Sequence, residues 1–252
     1  MPGSLLASVV VDAADPGALA HWWARALDWR LGYRDEHEAD VDPPEGEPGV
    51  PLVFVPAAAP KRGPNRLHLD LDSASPADQR QTVELLLDLG ARPVDVGQGD
   101  VPWVVLADPE GNELCVLDPR PEYEGTGRVA SIVVAAGDAA ALRGFWALAT
   151  GWTPVEGSGV PALRRGAAGP FLEFVDGAGA HEGKNRWHLD VRPTRDGAGR
   201  DGAGRDGAGR DAVLTTLLAA GAAPVDIGQR GVTWDVLADP EGNEFCVLAG
   251  PL

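Results

Sequence analysis

One stretch occurs twice and limits what this chain can fold into. Residues 105–117 read Val-Leu-Ala-Asp-Pro-Glu-Gly-Asn-Glu-Leu-Cys-Val-Leu, and residues 236–248 repeat them with Phe245 at the position of Leu114. The Asp-Pro pair opens a turn because proline presets φ. Gly111 and Gly242 then supply a position of positive φ, and the flanking runs are rich in β-formers. Each copy is predicted as a strand, a tight turn and a returning strand that closes one half of the protein. A repeat at this spacing divides the 252-residue chain into two domains, each long enough to bury a core. The boundaries are predicted at 1–119 and 128–250, with the Pro/Gly/acidic segment 120–127 as linker.

The formal charge of −17 argues against nucleic acid or an anionic membrane surface as a partner. No apolar run approaches a membrane span, and Met1-Pro2-Gly3-Ser4 is not followed by a signal-type apolar core, so a cytoplasmic location is expected. Cys115 and Cys246 occupy the same position in the two repeats. Each is expected to be a separate reduced thiol, and no CxxC motif offers a zinc knuckle.

In chain order, residues 8–12 read as a buried strand. Asp15-Pro16 then caps a helix whose core stripe is Leu19, Trp22, Trp23, Ala26 and Leu27. The acidic, Pro- and Gly-rich segment 34–50 is predicted as a loop, with 51–55 as a further strand. Residues 65–72 alternate, with Leu67, Leu69 and Leu71 on one face and Arg66, His68, Asp70 and Asp72 on the other. Ser75-Pro76 starts a second helix that stops at Gly90. The second half repeats this order: Ser131 corresponds to Ser8, Trp152 to Trp29, Phe174 to Phe54 and His188 to His68. There Arg186, His188, Asp190 and Arg192 share a face. The second half also holds 11 extra residues, the reiterated Arg-Asp-Gly-Ala-Gly run at about 195–210, predicted as a surface loop because glycine disfavours helix.

Each half thus reads strand–helix–three strands, twice. With the Asn-Arg-x-His-Leu-Asp motif (65–70 and 185–190) and the Asp-Pro-Glu-Gly-Asn-Glu hairpin, the chain resembles the vicinal oxygen chelate superfamily, in its glyoxalase-like and bleomycin-resistance-type branch. The resemblance implies an α+β fold of tandem domains, built from βαβββ units that curve a mixed sheet around a cavity. In this superfamily a divalent metal sits in the cavity, held from the first and last strands of each unit. Those positions here are Ser8 and His68, Ser131 and His188 on first strands, and Val53, Cys115, Glu173 and Cys246 on last strands. Metal-binding members usually carry glutamate where the two cysteines stand, four residues past the turn glycine, so the chain departs from that pattern in both halves.

The residues expected to line a ligand cavity are Ser8, His68, Asp70, Cys115, Ser131, Arg186, Asp190, Cys246 and Trp234. Trp22, Trp23, Trp29 and Trp146 are expected in the core, and His21, His37 and His181 at the surface. His188 and Glu173 are the catalytic candidates. His188, Glu173 and Cys246 are the one set in the second half that offers an imidazole, a carboxylate and a thiol to a divalent metal such as zinc. Because the usual carboxylates are missing, the expectation is a metal-free protein that sequesters or processes a small organic molecule. The alternative is a metal-dependent lyase or isomerase of glyoxalase type with its chemistry in the second half. A monomer with two pseudo-equivalent domains and a homodimer are both compatible with the repeat. Sequence leaves open which units pair, and that choice decides whether Glu173 meets His188 or His68.

Overall fold

The computed structural model describes residues 3–57, 61–156, 159–177, 183–194 and 207–250. The chain forms four βαβββ units in succession. The first comprises β1 (Ser4–Ala13), α1 (Pro16–Leu27), β2 (Arg30–Arg34), β3 (Ala39–Asp42) and β4 (Leu52–Pro56). The second comprises β5 (Leu67–Leu71), α2 (Pro76–Asp88), β6 (Arg92–Pro93), β7 (Val104–Ala107) and β8 (Glu113–Val116). A 3₁₀ turn at Pro121–Tyr123 leads into the third, with β9 (Val129–Ala136), α3 (Ala139–Thr150), β10 (Thr153–Val155), β11 (Ala162–Arg164) and β12 (Phe171–Asp176). The fourth has β13 (Trp187–Pro193), α4 (Gly207–Ala219), β14 (Ala223–Pro224), β15 (Asp235–Ala238) and β16 (Glu244–Val247).

Local chemistry explains the helix starts. Asp15 caps α1 by accepting from the Ala18 amide at 2.9 Å, Ser75 caps α2 from the Asp78 amide at 3.1 Å, and Asp138 caps α3 from the Ala141 amide at 3.0 Å. Two predicted boundaries are corrected. The segment 34–50 is not one loop, because β3 pairs with both β2 and β4. The glycine-rich run predicted as a loop ends inside α4, whose helix is carried by the apolar Val213 and Leu217 that it buries. Residues 195–206 of that run, and His181, lie outside the described residues.

The strands assemble into two eight-stranded mixed sheets, and each draws one unit from each half. The first sheet runs β14-β15-β16-β13-β1-β4-β3-β2 and joins the first unit to the fourth. The second runs β10-β11-β12-β9-β5-β8-β7-β6 and joins the third to the second. Both joints are antiparallel pairs of opening strands, β1 with β13 and β5 with β9. Within each unit the first strand lies parallel to the last, as a crossover helix requires.

Between the sheets and the helices lies one core. The alternating Leu67, Leu69 and Leu71 enter it with Val9, Val11, Phe54, Phe174 and Phe245. Trp22, Trp23, Trp29 and Trp146 are all buried there as expected. Trp187 joins them, its ring edge against Trp23 with centroids 5.6 Å apart. The opposite faces, which the resemblance makes the concave ones, carry the polar members of the same strands. His21 and His37 are exposed.

Candidate functional site

Strand register sets the layout of the two concave faces. In the second sheet Ala162, Glu173, Val133 and His68 stand in one row across β11, β12, β9 and β5. The neighbouring row holds Arg164, Phe171, Ser131, Asp70 and Cys115. In the first sheet the equivalent rows are Asp40, Val53, Val10 and His188, and then Ser8, Asp190 and Cys246. The expected set His188, Glu173 and Cys246 is therefore not brought together. Glu173 belongs to the second sheet and shares its row with His68, while His188 and Cys246 belong to the first. The separation follows from the joining of units across the halves. It also divides the expected catalytic candidates, His188 and Glu173, between the two sheets.

Ser8, His68, Asp70, Cys115, Ser131, Asp190 and Cys246 do stand on the concave faces. Arg186, also expected to line the cavity, is engaged with the opposite hairpin. Its guanidinium donates to Glu110 at 2.8 Å, and so bridges the first sheet to the hairpin of the second. Arg66 makes the mirrored bridge, donating to the carbonyl of Glu241 at 3.1 Å and to Asn243 at 2.9 Å. Trp234 is half-buried on the approach to β15, with its indole N–H on Gln229 at 2.9 Å.

The second-sheet face has the more developed surroundings. Glu173 is only 3 % exposed and accepts from the Tyr123 hydroxyl at 3.2 and 3.3 Å. Burial, and then the nearby charge of Asp70, push its carboxyl up to about 7. Tyr123 sits edge-on to Phe171, and both pack with Cys115, Leu117, Ala130, Ala162 and Trp103 in a small apolar cluster. Two guanidinium groups stack on its rings. Arg120 lies 5.3 Å over Trp103 and is paired with Asp118, while Arg164 lies 4.5 Å over Phe171. Arg164 Nε donates to the Gly169 carbonyl, and its Nη2 is sealed from solvent without a hydrogen-bond partner.

The first-sheet face is built differently. His188 is 8 % exposed, and burial drives its imidazole down to about 3, so it is neutral. Asp190 is pushed up to about 7 by burial. The carboxylate missing at Val53 reappears one strand further out as Asp40, also pushed up to about 7 by burial and then by the charges of Glu38 and Asp42. Both cysteines are free and buried, and burial raises each thiol well above its usual value. That disfavours a thiolate nucleophile.

Sequence reasoning missed Tyr123, Arg120, Arg164 and Asp40. The first two lie at the linker or its edge and Asp40 in the predicted loop, where no strand pattern marks a face. A tyrosine in an otherwise polar linker, one of two in the chain, is the one signal that could have been used.

The model of the glyoxalase-like domain family matches residues 8–117 and again 131–248. Glyoxalase I from Zea mays superposes with a TM-score of 0.60 at 11% identity, covering 98% of this chain and 92% of that one. A putative dioxygenase from Bacillus subtilis gives 0.60 at 12% identity, covering 100% and 87%. These likenesses concern the fold. Among curated proteins no sequence matches.

Proposed function

Because the chain belongs to the glyoxalase-like domain family, we propose that it binds a small organic molecule, with the concave face of the second sheet as its principal site. The observation that carries this reading is the convergence of Glu173, Tyr123, His68 and Asp70 on a face walled by Trp103 and Phe171. Small-molecule sites combine such an apolar wall with a few placed polar groups. Arg164 adds a preference. Its unpartnered Nη2 over an aromatic ring suits a ligand with a flat apolar body and an anionic group.

Trp103, with Arg120 stacked over it, reports on the face by fluorescence. Titration with aromatic carboxylates of the benzoate type is expected to quench or shift the emission, and their methyl esters to bind at least tenfold more weakly. Arg164→Gln is expected to erase the difference. Carboxylates and esters that bind equally well, or not at all, would overturn the anionic-ligand reading.

A second reading, a lyase or isomerase of glyoxalase type, is favoured by Glu173. A carboxyl near 7 can take a proton from a carbon acid and return it at neutral pH. A divalent metal would supply Lewis-acid activation of the substrate oxygen in such a reaction. Turnover of the methylglyoxal–glutathione adduct with added Zn²⁺ or Ni²⁺, lost in Glu173→Gln, is the expected result. No turnover with either metal removes this reading.

A further inference from the structure

Each concave face holds a histidine, an aspartate and a cysteine in close contact, buried in the first sheet and with His68 half-buried in the second, where His68 and Asp70 also belong to the proposed ligand face. His188, Asp190 and Cys246 form one trio, and His68, Asp70 and Cys115 the other. In each, a ring nitrogen, a carboxylate oxygen and the sulfur lie within 4.8 Å of one another. The register produces this twice. Histidine and aspartate stand two apart on one face of the opening strand, and the cysteine lies opposite the aspartate on the parallel last strand.

The spacing is that of ligands around a small cation. His188 Nε2 is 3.7 Å from Cys246 Sγ and 3.5 Å from Asp190 Oδ1, and His68 Nε2 is 3.3 Å from Asp70 Oδ1. Zinc bonds of about 2.0 Å to nitrogen or oxygen and about 2.3 Å to sulfur, arranged tetrahedrally, put neighbouring ligand atoms roughly 3.3–3.6 Å apart. Asp190 is 8 % and Asp70 9 % exposed, and in each the Oδ1 atom that faces the imidazole is sealed from solvent and reached by no donor in hydrogen-bond geometry. A buried carboxylate oxygen left so in both copies is costly unless something else satisfies it. One thiolate and one carboxylate would also balance a dication in a site with little water.

We propose that each concave face binds one thiophilic divalent cation, zinc or cobalt(II), through His68, Asp70 and Cys115 in the second sheet and His188, Asp190 and Cys246 in the first. The thiol ligand selects against magnesium and manganese. Three protein ligands leave one tetrahedral position for water or a substrate atom. Glu173 is not a ligand in this arrangement. The aspartates, which the superfamily's usual ligand positions do not include, complete the set.

The test uses the full chain, stripped with chelator and titrated with Co²⁺. Two equivalents are expected to bind, with a thiolate-to-cobalt charge-transfer band and the strong visible absorption of four-coordinate cobalt, both displaced by Zn²⁺. Cys115→Ser and Cys246→Ser should each halve the band, and together abolish it. Asp70→Asn and Asp190→Asn, nearly isosteric, should each halve the stoichiometry even where a serine variant fails to fold. Absence of the band in the stripped wild-type protein, or its survival in the double serine variant, overturns the inference. Carboxylate binding followed by tryptophan fluorescence on the same stripped protein separates the two readings, since the anionic-ligand site needs no metal.

Discussion

Glu173 shows what burial does to a single group in this protein. Below about pH 4.5 its carboxyl is protonated in both the folded and unfolded chain and adds no pH dependence. As pH rises the unfolded chain loses this proton first, while the folded state holds it until about 7. The folded state binds more protons across that window, so its stability falls from about pH 4.5 to 7 and stays reduced above. A shift of this size corresponds to about 3 kcal/mol. Glu173→Gln keeps an acceptor for Tyr123 and has no proton to lose. It is expected to gain up to that amount over wild type at pH 8 and to show little difference at pH 4, measured by urea unfolding at both values. Equal pH dependence of the two proteins would contradict the buried, proton-holding Glu173. That Glu173 belongs with His68 could not be read from the sequence. Alternation reveals which side chains share a face of a strand, and it placed His68 and Asp70 correctly. Which strand lies beside which is set by pairing between distant segments, and the Val53/Glu173 asymmetry alone does not specify it.

At the scale of elements, the duplicated hairpin does structural work. Asp108 is fully buried and accepts from the Glu110 and Asn112 amides, the Asn112 side chain at 2.8 Å and the Trp23 indole at 3.1 Å. Asp239 repeats this with Glu241, Asn243 and Trp146. Glu110 accepts from the Ala14 and Asp15 amides just before α1, and Glu241 from the Gly137 and Asp138 amides before α3. Each hairpin thus ties a helix start of one sheet to the edge of the other. The motif was legible as a turn and as a family mark, because proline and glycine act locally. Its role as a tie between sheets was not, because its partners lie more than 80 residues away. Asp108→Ala would leave several buried donors unpaired and is expected to cost about 3 kcal/mol or more in urea unfolding. Asp239→Ala should cost a similar amount, whereas Asp15→Ala, which loses one helix cap, should cost only about 1 kcal/mol. A cost for Asp108→Ala no larger than that of the cap would show that the hairpin is not a tie.

For the whole molecule, the consequence lies in how the two halves share their sheets. The repeat in the sequence divides the chain into two halves and leaves open which units pair; β1 pairs with β13 and β5 with β9, so neither half contains a complete eight-stranded sheet. The concave faces divide the same way: His68 and Cys115 come from the first half, Glu173 and Ser131 from the second. A half on its own would expose the edge of an opening strand and the apolar face that its partner covers, an unstable arrangement that invites pairing. Segments 1–119 and 128–252, co-expressed as separate chains with a tag on one, are therefore expected to co-purify in equal amounts. The complex should have the size of the intact protein. Each half alone is expected to self-associate, since its two units can complete each other's sheets only between copies. Tyr123 lies in the segment left out, so the complex should fold while losing the hydroxyl that meets Glu173. If each half runs as a compact monomer by light scattering and does not bind the other, the halves are independent domains and the sharing of sheets is wrong.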